Sequence, residues 1–163
     1  MRSVFRYWGV YDGPEPGLYE RLGTRPREGT DPRRMAAAAR ELGLDAELKE
    51  DLTIEDLREA LGLGRTVVLD LQAWGPRGTD YSKEWERGHY AVLVAADRDA
   101  LYLADPNSGG FSRLPAADLA ARWHDYEGEG ASLWRNHGLG LIVWGARRAS
   151  SAPPPAARSR PLP

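Results

Sequence analysis

The chain has 163 residues, 42 % of them hydrophobic and 28 % charged, with a formal net charge of −2 and no cysteine. That length suits one domain with a sizeable core, and the slight acidic balance lacks the basic excess of proteins that bind nucleic acid or anionic membranes. Without a thiol there is no disulfide, thiolate metal site or redox motif, and no run of 18 apolar residues is present to span a membrane.

The opening MRSVFRYWGV places Val4, Phe5, Tyr7 and Trp8 ahead of Gly9, a helix stop. It reads as the last two turns of a helix, with Val4, Phe5 and Trp8 expected to be poorly covered. It lacks the apolar core and small-residue cleavage site of a signal peptide, so the chain as written is expected to be cytoplasmic. Pro16 to Leu22 predicts a short helix ended by Gly23. Asp31 caps and Pro32 starts a third helix, whose Met35, Ala38, Ala39 and Leu42 form a core-facing stripe up to Gly43. Residues 45–49 predict a short edge strand. Thr53 and Asp56 have the spacing of a capping box for a helix from Ile54 to Leu61. The run TVVLDLQAW, Thr66 to Trp74, predicts a strand, followed by a polar loop through Gly88.

The stretch GHYAVLVAADRDALYLADP, residues 88–106, predicts a β-hairpin turning near Asp97 or Arg98. Folding back there brings His89 opposite or diagonal to Asp105, and same-face residues on paired strands lie about 5–8 Å apart. An imidazole with an orienting carboxylate is the base half of a nucleophilic triad. The same two residues also fit a strand start and an Asp-Pro turn formed for local backbone reasons. Further on, Phe111 to Leu114 predicts a strand, Pro115 begins a helix to about Trp123, and Gly138 to Ala146 predicts a last strand. Helices first and strands later is an α+β order, with helices covering an antiparallel sheet. Residues 1–146 form the expected domain and 147–163 an expected disordered, proline-rich tail.

Gln72, Trp74 and Trp85 are candidates to line a substrate groove, with Trp123 beside them; all four also fit the edge of a core. His124 reads as a cation in the last turn of a helix, and His137 as a loop residue without a partner. The three histidines have no metal-ligand spacing, so neither a metal nor another cofactor is expected. GLGRT, Gly62 to Thr66, lacks the lysine and preceding strand of a phosphate loop. Ser3, the only hydroxyl near the start, has no glycine elbow or neighbouring base.

Five segments in order, YWGV, RLGTRPREGTDPRRMAAAARELGL, IEDLREALGLGRTVVLDLQAW, GHYAVLVAADRDALYLADP and ARWHD, resemble the papain-like cysteine peptidases of family thirty-nine. These are the bacteriocin-processing (double-glycine-leader) peptidases and their stand-alone relatives, and the likeness covers about residues 2–145. The resemblance implies a papain-like fold with N-terminal helices on an antiparallel sheet. It implies peptide or protein substrates, with His89 as base and Asp105 as its orienting group. In that family a Cys-Gly pair opens the first helix, and a glutamine ahead of it helps form the oxyanion hole. Counting back from Gly9, both would fall before Met1. Two explanations stand: a chain whose start lies further upstream, or a relative that keeps the fold and binds peptide without cutting it. Either way, no cysteine-dependent activity is expected of the chain as given.

Overall fold

The computed structural model describes residues 1–26, 29–128 and 133–145, together with the backbone of 159–161. The first three helices, α1 (Arg2–Tyr7), α2 (Pro16–Leu22) and α3 (Pro32–Glu41), precede the first strand, β1 (Asp45–Lys49). Their boundaries follow local chemistry. Gly23 ends α2 in the left-handed conformation, and Asp31 caps α3 by accepting a hydrogen bond from the Arg33 N–H at 2.7 Å. The capping box is present at the start of α4 (Ile54–Gly62), with Thr53 and Asp56 bonded reciprocally.

The strands β2 (Thr66–Gln72), β3 (Gly88–Ala96), β4 (Ala100–Asp105), β5 (Gly110–Pro115) and β8 (Gly140–Trp144) join β1 in one antiparallel sheet, in the order β1-β8-β2-β3-β4-β5. The hairpin turns at Asp97, whose carboxylate accepts from the N–H groups of Asp99 and Ala100 at 2.8 Å. Helix α5 (Ala116–Arg122) follows β5 directly, with Pro115 at its N-cap. The architecture is therefore the expected α+β arrangement, and none of the described helices is long and apolar enough to cross a membrane.

Side chains that alternate along β2 separate two cores. Val68 joins Leu141, Val143 and helices α1 to α3 on one face; Val67, Leu69 and Leu71 join α4 and α5 on the other. Because helices cover both faces, β2 is buried almost without interruption. The first helix is not poorly covered. Val4, Phe5 and Trp8 are 1 %, 0 % and 4 % exposed, enclosed by Leu18, Leu22, Met35 and the sheet. The Trp8 indole also donates to Thr66 Oγ1 at 3.0 Å. A sequence pattern does not show that α2 and α3 wrap over so short a segment.

Other departures have equally local causes. β2 stops at Gln72 rather than Trp74, because Trp74 takes a left-handed backbone with φ of 62°. The last strand ends at Trp144, and Ala146 lies outside the described residues. Two short strands, β6 (His124–Glu127) and β7 (Trp134–His137), pair as a separate ribbon that the periodicity did not predict. Their sequences, HDYE and WRNH, carry no apolar alternation. Of the expected tail, β9 (Ser159–Pro161) is a strand paired parallel to β5, and the rest lies outside the described residues.

Candidate active site

Pairing of β3 with β4 sets Val92 opposite Ala104. One residue further, Asp105 stands beside Ala91, two positions from His89 on the same face. The diagonal closes: His89 Nε2 and Asp105 Oδ1 are 2.8 Å apart, and the Asp105 side chain is fully buried while His89 keeps 18 % of its own exposed. One carboxylate makes both the contact with His89 and the local Asp-Pro turn. Asp105 Oδ1 also accepts from the Asn107 N–H at 2.9 Å, forming the turn after Pro106. Oδ2 accepts from the buried Ser112 hydroxyl of β5 at 3.4 Å. The Asn107 N–H and the Ser112 hydroxyl thus hold the carboxylate that faces His89; the first belongs to the local Asp-Pro turn, and the second depends on the β4–β5 register, which the sequence pattern does not give.

His89 lines a groove of about 690 Å³ together with Trp85, Gly88, Tyr90, Pro106 and Asp125. Of the aromatic candidates, Trp85 is a wall of this groove. Trp74 instead makes a perpendicular edge-to-face contact with the His89 ring, with centroids 6.4 Å apart at 90°. Trp123 is buried in the core and donates to the Leu139 carbonyl at 2.9 Å.

Gln72 does not line the groove. It is fully buried beneath it, donating to the His124 carbonyl at 3.1 Å and to Asp125 Oδ1 at 3.0 Å, and accepting from the Arg87 N–H at 2.9 Å. The β6–β7 ribbon covers it, and the sequences HDYE and WRNH carry no apolar alternation that would announce that ribbon. His124 is likewise no helix cation: α5 has ended, and His124 opens β6, buried, with Nε2 2.8 Å from the Glu84 carbonyl. His137 does have neighbours. It opposes His124 across the ribbon, with rings 5.9 Å apart and the Trp85 ring 5.7 Å away. Among the described residues no cluster of histidine and carboxylate side chains is arranged to hold a metal ion.

The ribbon brings a second feature to the groove, a group of carboxyls around Tyr90. Asp70, on β2, is 1 % exposed and accepts from the Asn136 amide at 3.2 Å. It shares a hydrogen bond with Asp125, and the Tyr90 hydroxyl donates to Glu127. Burial first, then the charges of Asp125 and Glu127, holds the Asp70 carboxyl well above the ordinary range. Burial also raises Asp125, and it pushes Glu127 up to about 7. A lone aspartate in the apolar run TVVLDLQ was the one sequence signal for this group.

The raised carboxyls make the fold pH-sensitive in a defined direction. Unfolded aspartate titrates near pH 4. Between that value and the raised native one, the folded chain holds protons that the unfolded chain has released, so stability falls as pH rises. Each unit of upward shift corresponds to about 1.4 kcal/mol. Asp70→Asn keeps the shape, a donor toward Asp125 and an acceptor for Asn136. Urea midpoints at pH 5 and pH 8 are expected to differ less in this variant than in the parent, with the gain at pH 8. An unchanged difference would remove Asp70 as the source.

No family model matches the sequence, and no curated protein does so either. Solved structures do match. The chain aligns with the peptidase domain of Streptococcus ComA, a bifunctional ABC transporter involved in a quorum-sensing pathway. The TM-score is 0.61 at 17 % identity, over 88 % of this chain and 85 % of that one. It aligns as well with a C39-like peptidase from Bacillus anthracis, at a TM-score of 0.61 and 13 % identity, over 90 % of this chain and 86 % of that one. Helices on a six-strand antiparallel sheet, in the same arrangement over nearly all of both chains, give this protein the papain-like α+β fold of the C39 peptidase domains.

Proposed function

We propose that this chain is a cysteine-peptidase-like domain that holds an extended peptide in the groove beside His89. In this reading His89 is the general base and Asp105 fixes its tautomer. The observation that supports it is the 2.8 Å contact between His89 Nε2 and Asp105 Oδ1 at the groove. Donation from Nε2 leaves Nδ1 with its lone pair, the nitrogen that accepts a proton. In thiol-dependent amide hydrolysis, such a nitrogen takes the thiol proton and later returns it to the leaving amine. The thiolate is the reacting atom in that chemistry, and the 163 residues contain no cysteine. The chain by itself therefore binds peptide and leaves it intact.

The test is a titration of mixed extended peptides into the ¹⁵N-labelled protein, with the same peptides recovered for mass analysis. Saturable shifts of the His89 ring and the Trp85 indole, with peptides intact, are expected. Shifts at neither residue would overturn the groove assignment. Cleavage that disappears in His89→Ala would overturn the non-cutting half of the proposal.

A further inference from the structure

Trp74 carries two local costs at one position. It has a left-handed backbone, with φ of 62°, where a bulky side chain is strained. Its indole N–H is also buried with no hydrogen-bond acceptor among the described residues, although buried donors are nearly always paired. Such costs persist only where the surroundings over-determine the conformation, and here they do. The Ala73 N–H donates to the Arg87 carbonyl at 3.0 Å, and the Gly75 N–H donates to the Tyr81 hydroxyl at 2.9 Å. The Arg122 guanidinium lies 3.5 Å from the centre of the Tyr81 ring and donates to the Gln72 carbonyl at 3.4 Å. The residues on both sides of Trp74 are thereby tied to other elements. On the far side of Gly75, even a Cβ would meet Thr79 Oγ1 at 2.5 Å, so the corner has no room to relax that way.

What this conformation achieves is the placement of the indole. It stands perpendicular to the His89 ring, at 90° with centroids 6.4 Å apart, within the range of favourable edge-to-face aromatic pairs. Asp105 constrains one atom of the imidazole, Nε2; a single hydrogen bond still leaves the ring plane free to turn about that contact. We infer that Trp74 is a positioning residue for the His89–Asp105 pair: the clamped corner after β2 presents the indole so that the imidazole plane is fixed with Nε2 on Asp105. The inference rests on the reading of His89 as the base.

Two variants test it. Trp74→Gly removes the ring and relieves the backbone strain, and a urea melt of each variant confirms that it is folded before the readout is taken. Trp74→Phe keeps an aromatic ring at the corner while deleting the N–H and shrinking the indole to a phenyl ring. The readout is the ¹⁵N signature of the His89 imidazole, which distinguishes the two neutral tautomers, together with affinity for a groove-binding peptide. Trp74→Gly is expected to turn a single Nε2–H tautomer into a mixture and to weaken binding at least about five-fold, while Trp74→Phe preserves both. A parent-like tautomer in Trp74→Gly overturns the inference. So does a Trp74→Phe variant as impaired as Trp74→Gly, which would show that an aromatic ring at this corner does not orient the imidazole. If Asp105→Ala also leaves the tautomer unchanged, the base assignment itself has failed; if Asp105→Ala alters it and Trp74→Gly does not, only the role of Trp74 has.

Discussion

Gly88→Ala is expected to destabilise the fold by about 1–3 kcal/mol, the range for forcing atoms into a packed site. A Cβ at this position would lie 1.7 Å from Asp125 Oδ2 and 2.7 Å from its Cγ. Asp125 cannot swing aside cheaply. Its Oδ1 accepts from the Gln72 amide at 3.0 Å and from the Tyr126 N–H at 2.8 Å, and it is bonded to Asp70. Relief therefore requires β6 to lift from β3 or the start of β3 to peel away. Either movement displaces His89, the next residue, from Asp105. Urea denaturation measures the loss, and peptide titration measures the damage to the groove. The cause is checked by a double-mutant cycle, because adding Asp125→Ala removes the colliding atoms and should recover part of the loss. A change below about 0.5 kcal/mol, the scale of ordinary surface substitutions, would contradict the packing of β6 on β3.

Phe5→Ala is expected to cost about 3–5 kcal/mol, as for other fully buried aromatic residues. Helix α1 is six residues long, too short to persist without tertiary support. Its stability comes from burying Val4, Phe5 and Trp8 against α2, α3 and the sheet. The substitution separates two pictures of the first segment. A docked helix loses the full core contribution; a frayed terminus loses almost nothing. Denaturant midpoints with an unchanged dependence on urea concentration give the answer, and a loss under about 0.5 kcal/mol would favour the frayed picture.

What could be read in the sequence was what local rules control. The caps at Asp31 and Thr53, the stop at Gly23 and the hairpin around Asp97 all depend on neighbours within a few residues, and the structure has each of them. The pairing of His89 with Asp105 was legible for the same reason, since a tight hairpin converts sequence separation into distance. The groove was less so. Trp85 reaches it, but Gln72 and Trp74 do not line it, because their surroundings are set by elements distant in the chain. Gln72 is covered by β6, and Trp74 is turned by clamps from Arg87 and Tyr81. The carboxyl group of Asp70, Asp125 and Glu127 escaped for a related reason: it assembles only when the polar ribbon β6–β7 folds over the end of β2. The cover over α1 is likewise a matter of tertiary packing.

The central claim is that Asp105 holds His89 with Nε2 as the donor, leaving Nδ1 to accept a proton. The ¹⁵N chemical shifts of the His89 imidazole, recorded above the titration of the ring in the parent and in Asp105→Ala, test it most directly. The account predicts the Nε2–H tautomer in the parent and a mixture of tautomers in the variant. An Nδ1–H tautomer in the parent, or shifts that do not change when Asp105 is removed, would contradict it.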